Sequence, residues 1–342
     1  MPKKSGAKVS SPVNDFFVVG SSTLDIIAKT KDVERIDIAG KHVEKLICIS
    51  FASKSELDGL ELHPGGSASN SAIMMRTLGS LVYLLSAVGK DEFGKIVLND
   101  LKKNGISPST VKVFGSISTG VGLNILSSGG EKSILVYRGA NSSLGASDIS
   151  EAAIKNSRHI FIASLVSAKN YQLFKKILEL SKKHNRPVVF VPSITMLHGW
   201  MPDIRKLNPH FDLVVMNYEE AEYYTGKDEI KKILAALPGR IVVVTRDIEG
   251  AYALEKVGSN NKYFHIPAIR VKVADTTGAG DAFSGAFAHT YYSTRSVREA
   301  MKAATASAAL KLLHKGAHFS LKKADLYRFM VKNNSKLNVK TI

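Results

Sequence analysis

Cysteine is almost missing from this chain: Cys48 is the only one in 342 residues. A single thiol makes no internal disulfide and no all-cysteine zinc cluster, so neither device can hold this fold together. Its neighbours, LICIS, read as a strand, and Cys48 is expected to be a buried, inert thiol in a reducing, cytoplasmic setting. No apolar run approaches the ~20 residues of a membrane span. The opening MPKKSGAKVSSPVND has no apolar core of the kind a signal peptide needs, and residues 1–14 are expected to be a flexible basic tail. Acidic residues are also in short supply. Lys and Arg number 47 against 30 Asp and Glu, a formal charge of +17. Such a surface attracts polyanions and steers small phosphorylated ligands. The charge is spread along the chain, apart from clusters such as Lys3, Lys4 and Lys8. That pattern favours a solvated basic surface over a nucleic-acid arm, and no membrane partner is expected.

What the chain does contain is alternation. FFVVG (16–20) and LVYLLSAVG (81–89) read as buried strands, as does LICISF (46–51). SASNSAIMMRTLG and FGKIVLNDLKKNG (93–105) have helical spacing. Residues 111–137 alternate apolar and polar around Gly129-Gly130, the mark of antiparallel hairpins. After Gly139 the short apolar runs HIFIASL, PVVFVP, DLVVMN and RIVVVTR are separated by helical stretches at 170–184, 219–224 and 231–237. Strands apolar on both faces, interleaved with helices, imply a doubly wound, mostly parallel sheet in three layers. The segments 26–63 and 111–137 break that rhythm and are expected to form a small β-sheet lid. No internal repeat or low-complexity linker is present. The organisation expected is a tail (1–14), one α/β domain with its lid (15–325) and a C-terminal helix and tail (326–342).

Residues 274–287, ADTTGAGDAFSGAF, place a carboxylate directly after Gly278-Ala279-Gly280 and ahead of a helix. Amides at a helix start bind anions, and an acid there would repel one. The two coexist if Asp281 acts as a base on an alcohol while the amides hold a transferring phosphoryl group. The competing reading is close helix packing by small residues, which suits Gly278, Gly280 and Gly285 but not the charge among them. Asp25, Asn217, Thr245 and the 275–281 loop each follow an apolar run, and IRVKVA (269–274) is read as the strand before that loop. In a parallel sheet, strand ends of this kind meet in one cleft.

DTTGAGDAFSGAF together with HPGGSASNSA resembles the two signature motifs of the ribokinase-like (PfkB) carbohydrate and nucleoside kinases. The likeness runs from about Phe16 to Lys322, with GSSTLD, GGSASN, YRGAN, NYEEAE, TRDIEG, DTTGAGD and HKGAHFS in the family's order. It implies an ATP- and Mg²⁺-dependent kinase acting on a primary hydroxyl. Asp281 matches the base, and Gly278, Ala279 and Gly280 match the anion hole. Asp25, at the end of the first strand, with Gly65, Gly66 and Asn70, matches the residues that hold sugar hydroxyls. From local sequence Asn70 reads equally as a helix N-cap. Asn217 and Glu220 match a motif that acts on Mg²⁺ and phosphate, probed on its own as a solvated helix face. Thr245 and Gly250 match a nucleotide-contacting turn. Asp275, the carbonyls near Thr277 and Gly316, and Ser320 match a monovalent-cation site, so the resemblance implies activation by K⁺.

The chain also departs from its relatives. The ribose-specific branch has Asn at Thr23, Lys at Ser67 and Asn near Val191, and Ser67 brings this chain nearer to the adenosine-kinase-like branch. Asp247 stands where glycine is common, in a left-handed turn that Asp tolerates. Arg138 can neutralise phosphate under a closed lid, or it can be an ordinary surface arginine. Trp200, His63, His289 and His314 read as structural. A sugar kinase is the first expectation and a nucleoside kinase acting on a 5′-hydroxyl the second. A non-catalytic nucleic-acid-binding protein on a kinase fold is a remote third. A homodimer through the lid is a further possibility that the resemblance raises.

Overall fold

A computed structural model describes residues 14–38, 44–51, 54–127, 132–207, 210–258, 260–316 and 321–342. The first apolar run forms β1 (Asn14–Val19), and Gly20 turns the chain out of it with φ 150°, where a Cβ would lie 2.9 Å from that of Ala163. The chain then builds β2 (Thr23–Thr30), β3 (Glu34–Ile38), β4 (Glu44–Cys48) and β5 (Gly59–Gly65) before α1 (Ser67–Leu78) returns it. Next come β6 (Val82–Leu85), β7 (Ala87–Gly89), α2 (Glu92–Lys103), β8 (Lys112–Phe114), β9 (Gly120–Ser127) and β10 (Lys132–Tyr137). Helix and strand then alternate through α3 (Glu151–Lys155), β11 (Ser157–Ile162), α4 (Ala168–Lys183), β12 (Val188–Phe190), α5 (Ile194–Leu207) and β13 (Leu213–Asn217). They continue with α6 (Tyr218–Thr225), α7 (Ile230–Ala236) and β14 (Ile241–Arg246). The hairpin β15 (Gly250–Val257) and β16 (Asn260–Ile266) leads to α8 (Ala279–Thr294), α9 (Val297–Leu312), α10 (Lys323–Lys332) and β17 (Lys340–Thr341).

The main sheet runs β17-β16-β15-β14-β13-β12-β11-β1-β6. From β14 to β6 all pairings are parallel, and β15 to β17 add an antiparallel edge. Alternate residues of each strand feed two separate cores. Phe16 and Val18 join α1, α2, α8, α9 and α10 on one face, while Phe17 and Val19 join α3 to α7 on the other. The fold is the three-layer α/β arrangement that continuous apolar strands demand. A second sheet, β10-β9-β2-β5, forms the lid. In the main sheet the chain passes from β1 to β6 on one side and later to β11 on the other, so the strand order reverses beside β1, where ligands bind.

Several expectations change. Asp25 is not at the end of the first strand; it is the third residue of β2, because the Gly20–Ser22 turn carries the chain off the main sheet and into the lid. IRVKVA forms no strand, since β15 and β17 already flank β16. Residues 81–89 are two strands: β6 stays in the main sheet, and β7 pairs with β8, which removes 112–114 from the lid. The hydroxyl of Ser86, at the break, donates to the Gly20 carbonyl at 2.7 Å. Cys48 is half-buried rather than buried. Helix α5 and the β15–β16 hairpin had not been expected. The boundary placed at 325 falls inside α10, and Leu326, Leu337 and Val339 belong to the core. Trp200 is core, as read from the sequence. Residues 1–13 of the proposed tail, Gly129-Gly130 and Ser320 lie outside the described residues.

His159, buried in β11, stacks on Tyr292 with ring centroids 3.8 Å apart and donates from Nδ1 to the Asp15 carbonyl at 3.1 Å. Burial is the main reason its pKa falls to about 4. The folded state therefore holds it neutral, and its contribution is complete above pH ~6.5 and lost as pH falls through about 4. We expect acid denaturation to cost about 3 kcal/mol over that window from this residue alone. In denaturant titrations from pH 7 to pH 4, His159→Phe should show a shallower pH slope than the parent chain.

Candidate active site

Two glycine-dependent contacts assemble the cleft. The first joins α1 to α8. A Cβ on Gly285 would stand 2.7 Å from the Ser71 carbonyl, so only glycine lets these helices approach so closely. That approach puts Asn70 beside Asp281: Nδ2 of Asn70 donates to Oδ2 of Asp281 at 2.7 Å, and the Ser71 hydroxyl donates to the Asp281 carbonyl at 3.3 Å. Asn70 is not an N-cap; Gly66 holds that position, with φ 102°. Oδ1 of Asn70 is buried and has no partner among the described residues, which leaves an acceptor to be satisfied by a hydroxyl.

The second contact lies in the lid. Asp25 in β2 sits between Gly65 of β5 and Gly122 of β9. A Cβ at either glycine would fall 2.7 Å from Oδ2 or 2.6 Å from Oδ1 of the carboxylate. Thr23 approaches the same Oδ1 from two residues away, at 3.5 Å. Gly122 was missed in the sequence because one glycine in an alternating strand looks like any other weak point.

Gly278 is the left-handed N-cap of α8, at φ 78°. The amide of Ala279 donates to the Thr276 carbonyl at 3.3 Å, whereas those of Gly278 and Gly280 have no acceptor among the described residues. A Cβ on Gly280 would meet nothing within 4 Å. Helix packing thus accounts for Gly285 and not for Gly280. Asp281, in the first turn, is half-buried.

Asp25, Asn70, Gly122, Gly278 and Asp281 line a cleft of about 240 Å³ with Thr23, Ser67, Asn124, Arg138, Ser164 and Thr277, whereas Gly65 and Gly280 are not part of its lining. Burial lowers the pKa of the Arg138 guanidinium, so it is not an ordinary surface arginine. A larger groove, lined by Lys182, Arg186 and Asp212, opens at the other end of the strands, away from these groups.

Asn217 and Thr245 are register partners at the ends of β13 and β14. Asn217 and Glu220 cap α6 reciprocally: the Glu220 amide donates to Asn217 Oδ1 at 2.8 Å and the Asn217 amide to Glu220 Oε2 at 2.9 Å. Burial, with a smaller contribution from the charges of Glu219 and Asp281, raises the Glu220 pKa to about 7. Glu220 is therefore no solvated surface acid, and its carboxyl feels the charge of Asp281. Among the described residues no cluster of three His, Cys, Asp or Glu could cage a metal. The donor set fits Mg²⁺, which keeps most of its waters and is shared with phosphate. The Asp247–Gly250 turn stands apart from the cleft lining, with Asp247 at φ 37°. Gly250 is required by contact, since a Cβ would lie 2.1 Å from the Ile266 carbonyl.

The Asp275 carboxylate accepts from Thr277 N at 2.9 Å, Thr277 Oγ1 at 2.8 Å and Gly316 N at 3.0 Å. Burial alone would raise its pKa, but these bonds and the charge of Lys311 hold it below the ordinary value. Gly316 has φ 73°, and a Cβ there would lie 2.4 Å from the ring of His63, a lid residue. His289 is half-buried against Ser80, bonded at 2.7 Å. No helix among the described residues is long and apolar enough to cross a membrane.

Comparison with known proteins agrees with this fold. A deoxyribokinase of Salmonella typhi is 30% identical over 318 residues, covering 90% of this chain and 95% of its own. The Arabidopsis thaliana ribokinase solved with ribose and ATP superposes with a TM-score of 0.72 at 22% identity, over 94% of this chain and 99% of that one. An E. coli protein described as a ribokinase II, solved with ATP and Mg²⁺, gives a TM-score of 0.74 at 21% identity over 94% and 100%. The model of the pfkB family of carbohydrate kinases matches residues 17–324. A half-buried Asp281 beside open amides, a lid carboxylate facing it and a family match across nearly the whole length lead to one assignment: the chain belongs to the pfkB family of carbohydrate kinases, phosphotransferases whose acceptor is an alcohol.

Proposed function

We propose that this chain transfers the γ-phosphate of ATP to the primary hydroxyl of a free sugar of pentose size. The observation that carries this reading is Asp281, held by Asn70 next to the open amides of Gly278 and Gly280 and facing a lid that holds a second carboxylate. Asp25 accepts hydrogen bonds from sugar hydroxyls, as an ionised carboxylate must, and Asn70 both donates and accepts. Asp281 takes the proton from the CH₂OH group as its oxygen attacks the γ-phosphorus. The bond from that phosphorus to the bridging oxygen breaks, and ADP leaves. The amides of Gly278 and Gly280 face the charge that develops on the phosphoryl oxygens. Asn217 and Glu220 would hold Mg²⁺ through water, and the ion supplies charge neutralisation when bound. Thr245, Asp247 and Gly250 would lie along the nucleotide. The E. coli and Arabidopsis neighbours solved with ATP support ATP as the donor.

Two observations favour a sugar over a nucleoside. The cleft, about 240 Å³, is smaller than the ~300–1,000 Å³ of sites for larger ligands. No aromatic ring is among the residues lining it, so a base would find nothing to stack on. The short side chains of Thr23 and Ser67, which suggest a roomier acceptor site, are the features on the nucleoside side. A panel of ribose, deoxyribose, fructose, adenosine, cytidine and inosine in a coupled ADP assay decides between them; turnover confined to nucleosides would overturn the sugar reading. A non-catalytic nucleic-acid-binding role would leave activity untouched by loss of Asp281. A homodimer through the lid would bury the edge strand β10, where Leu135 and Tyr137 are exposed; sedimentation of the purified chain gives the oligomeric state.

Asp281→Asn should lower kcat by about 10²–10⁴-fold, the usual contribution of a positioned base, and leave the melting temperature nearly unchanged. Asp25→Ala should chiefly raise the sugar KM, by roughly 10- to 100-fold, the value of losing charged hydrogen bonds. Gly280→Ala separates packing from chemistry. Its methyl enters open space, so stability should hold or rise by up to ~1 kcal/mol. If that space receives the phosphoryl group, kcat should fall nonetheless; an unchanged kcat would remove Gly280 from the anion hole.

A further inference from the structure

One buried charge has no part in the reaction described above. Lys311, in the last turn of α9, is 0% exposed, the only lysine among the largest fully buried side chains. Its ammonium donates to the main-chain carbonyl of Asp275 at 3.2 Å and to that of His314 at 3.1 Å. Lysine near a helix C-terminus often satisfies that helix's own last carbonyls, and the bond to His314 is of this kind. The bond to Asp275 is not. It reaches across to the loop that runs into Gly278 and the start of α8, 36 residues away in sequence. A charge removed from water is retained only where partners compensate it, and here main-chain oxygens of two loops do so.

These two loops, around Asp275 and around Gly316, are the ones to which the family resemblance assigned a monovalent cation. The fit of such a cation can be tested on the residues present. The Asp275 carboxylate already accepts from Thr277 N, Thr277 Oγ1 and the amide of Gly316, three donors in all. The main-chain oxygen of Asp275 is already taken by an ammonium. K⁺ and an alkylammonium carry the same charge, have similar size and seek the same carbonyl oxygens. A second monovalent cation beside Lys311 would meet a like charge in a poorly screened interior. Among the described residues, Ser320 lying outside them, the set does not fit a bound K⁺.

We propose that the Lys311 ammonium is a built-in replacement for the monovalent cation, and that this enzyme is independent of K⁺. The fixed charge draws the loop carbonyls of Asp275 and His314 inward. It does so at the root of the segment that carries the open amides of Gly278, which lines the cleft, and Gly280. Lys311 is thus a positioning residue, not a catalytic one. The consequence for turnover rests on the kinase reading; the consequence for ion binding does not.

The test compares KCl, NaCl and choline chloride at equal ionic strength with two readouts, melting temperature and ADP formation. The parent chain should melt at the same temperature and turn over at the same rate in all three salts. Lys311→Ala vacates the space and exposes the carbonyls. It should melt lower in NaCl and choline chloride and recover by about 2–4 °C in KCl alone, with turnover rising in step. Lys311→Met fills the space without charge and should recover in none. A K⁺-selective rise in melting temperature or several-fold K⁺ activation of the parent chain overturns the proposal, as does a folded Lys311→Ala that ignores K⁺. If Lys311→Ala fails to fold, the parent chain's salt series decides alone. If no sugar or nucleoside turns over, the kinase reading fails while the melting series still judges the ion site.

Discussion

The close contact of α1 with α8 is the constraint on which the site depends. Gly285 lets the backbone of α8 ride against the Ser71 carbonyl, and the side chains flanking that contact are Asn70 and Asp281. A methyl group at Gly285 would push apart two helices that are also the walls of one core. The carboxylate would lose the amide that orients it. The geometry of the proposed base is therefore set by packing inside the domain, several residues away from any substrate. A catalytic group needs just such support, since its rotamer must be held before the substrate arrives.

The lid repeats the device with a different element. Asp25 is wedged between two glycines on neighbouring strands, so its carboxylate lies close against backbone rather than out in solvent. Charge balance across the cleft follows from these placements. Asp25 and Asp281 bring negative charge to the cleft. Arg138 and the open amides of α8 oppose it, as would Mg²⁺ at the proposed Asn217–Glu220 site. Glu220, its pKa raised to about 7 chiefly by burial, feels that negative charge as a smaller addition. Lys311 places its buried amine behind the same loop, bonded to the Asp275 carbonyl.

Much of this was legible in the sequence, and for definite reasons. Continuous apolar runs such as DLVVMN and RIVVVTR can be only buried strands, and helices between them force a parallel sheet. The glycines of GAGD, set against an acid, contradict simple packing and so point to chemistry. Other features could not be read. Residues 250–266 carry a weaker alternation, and their hairpin is an edge that only the sheet's order reveals. Glu220 among EEAE has two readings that local sequence cannot separate, a solvated helix face and a metal-facing acid, and in space it caps α6 reciprocally with Asn217. IRVKVA has the composition of a strand but no vacant strand to pair with.

By itself, then, the sequence determined the layer architecture, the family and the strand-end positions of Asn217 and Thr245, because periodicity and motif spacing are local properties of the chain. Tertiary structure decided which of the polar residues meet. It put Asp25 in the lid instead of the main sheet, gave Asn70 to Asp281, and buried a lysine that in KLLHK reads as one more surface charge. Such outcomes depend on contacts between segments tens to hundreds of residues apart, where the fit of one backbone against another, and not the identity of near neighbours, sets each side chain's surroundings.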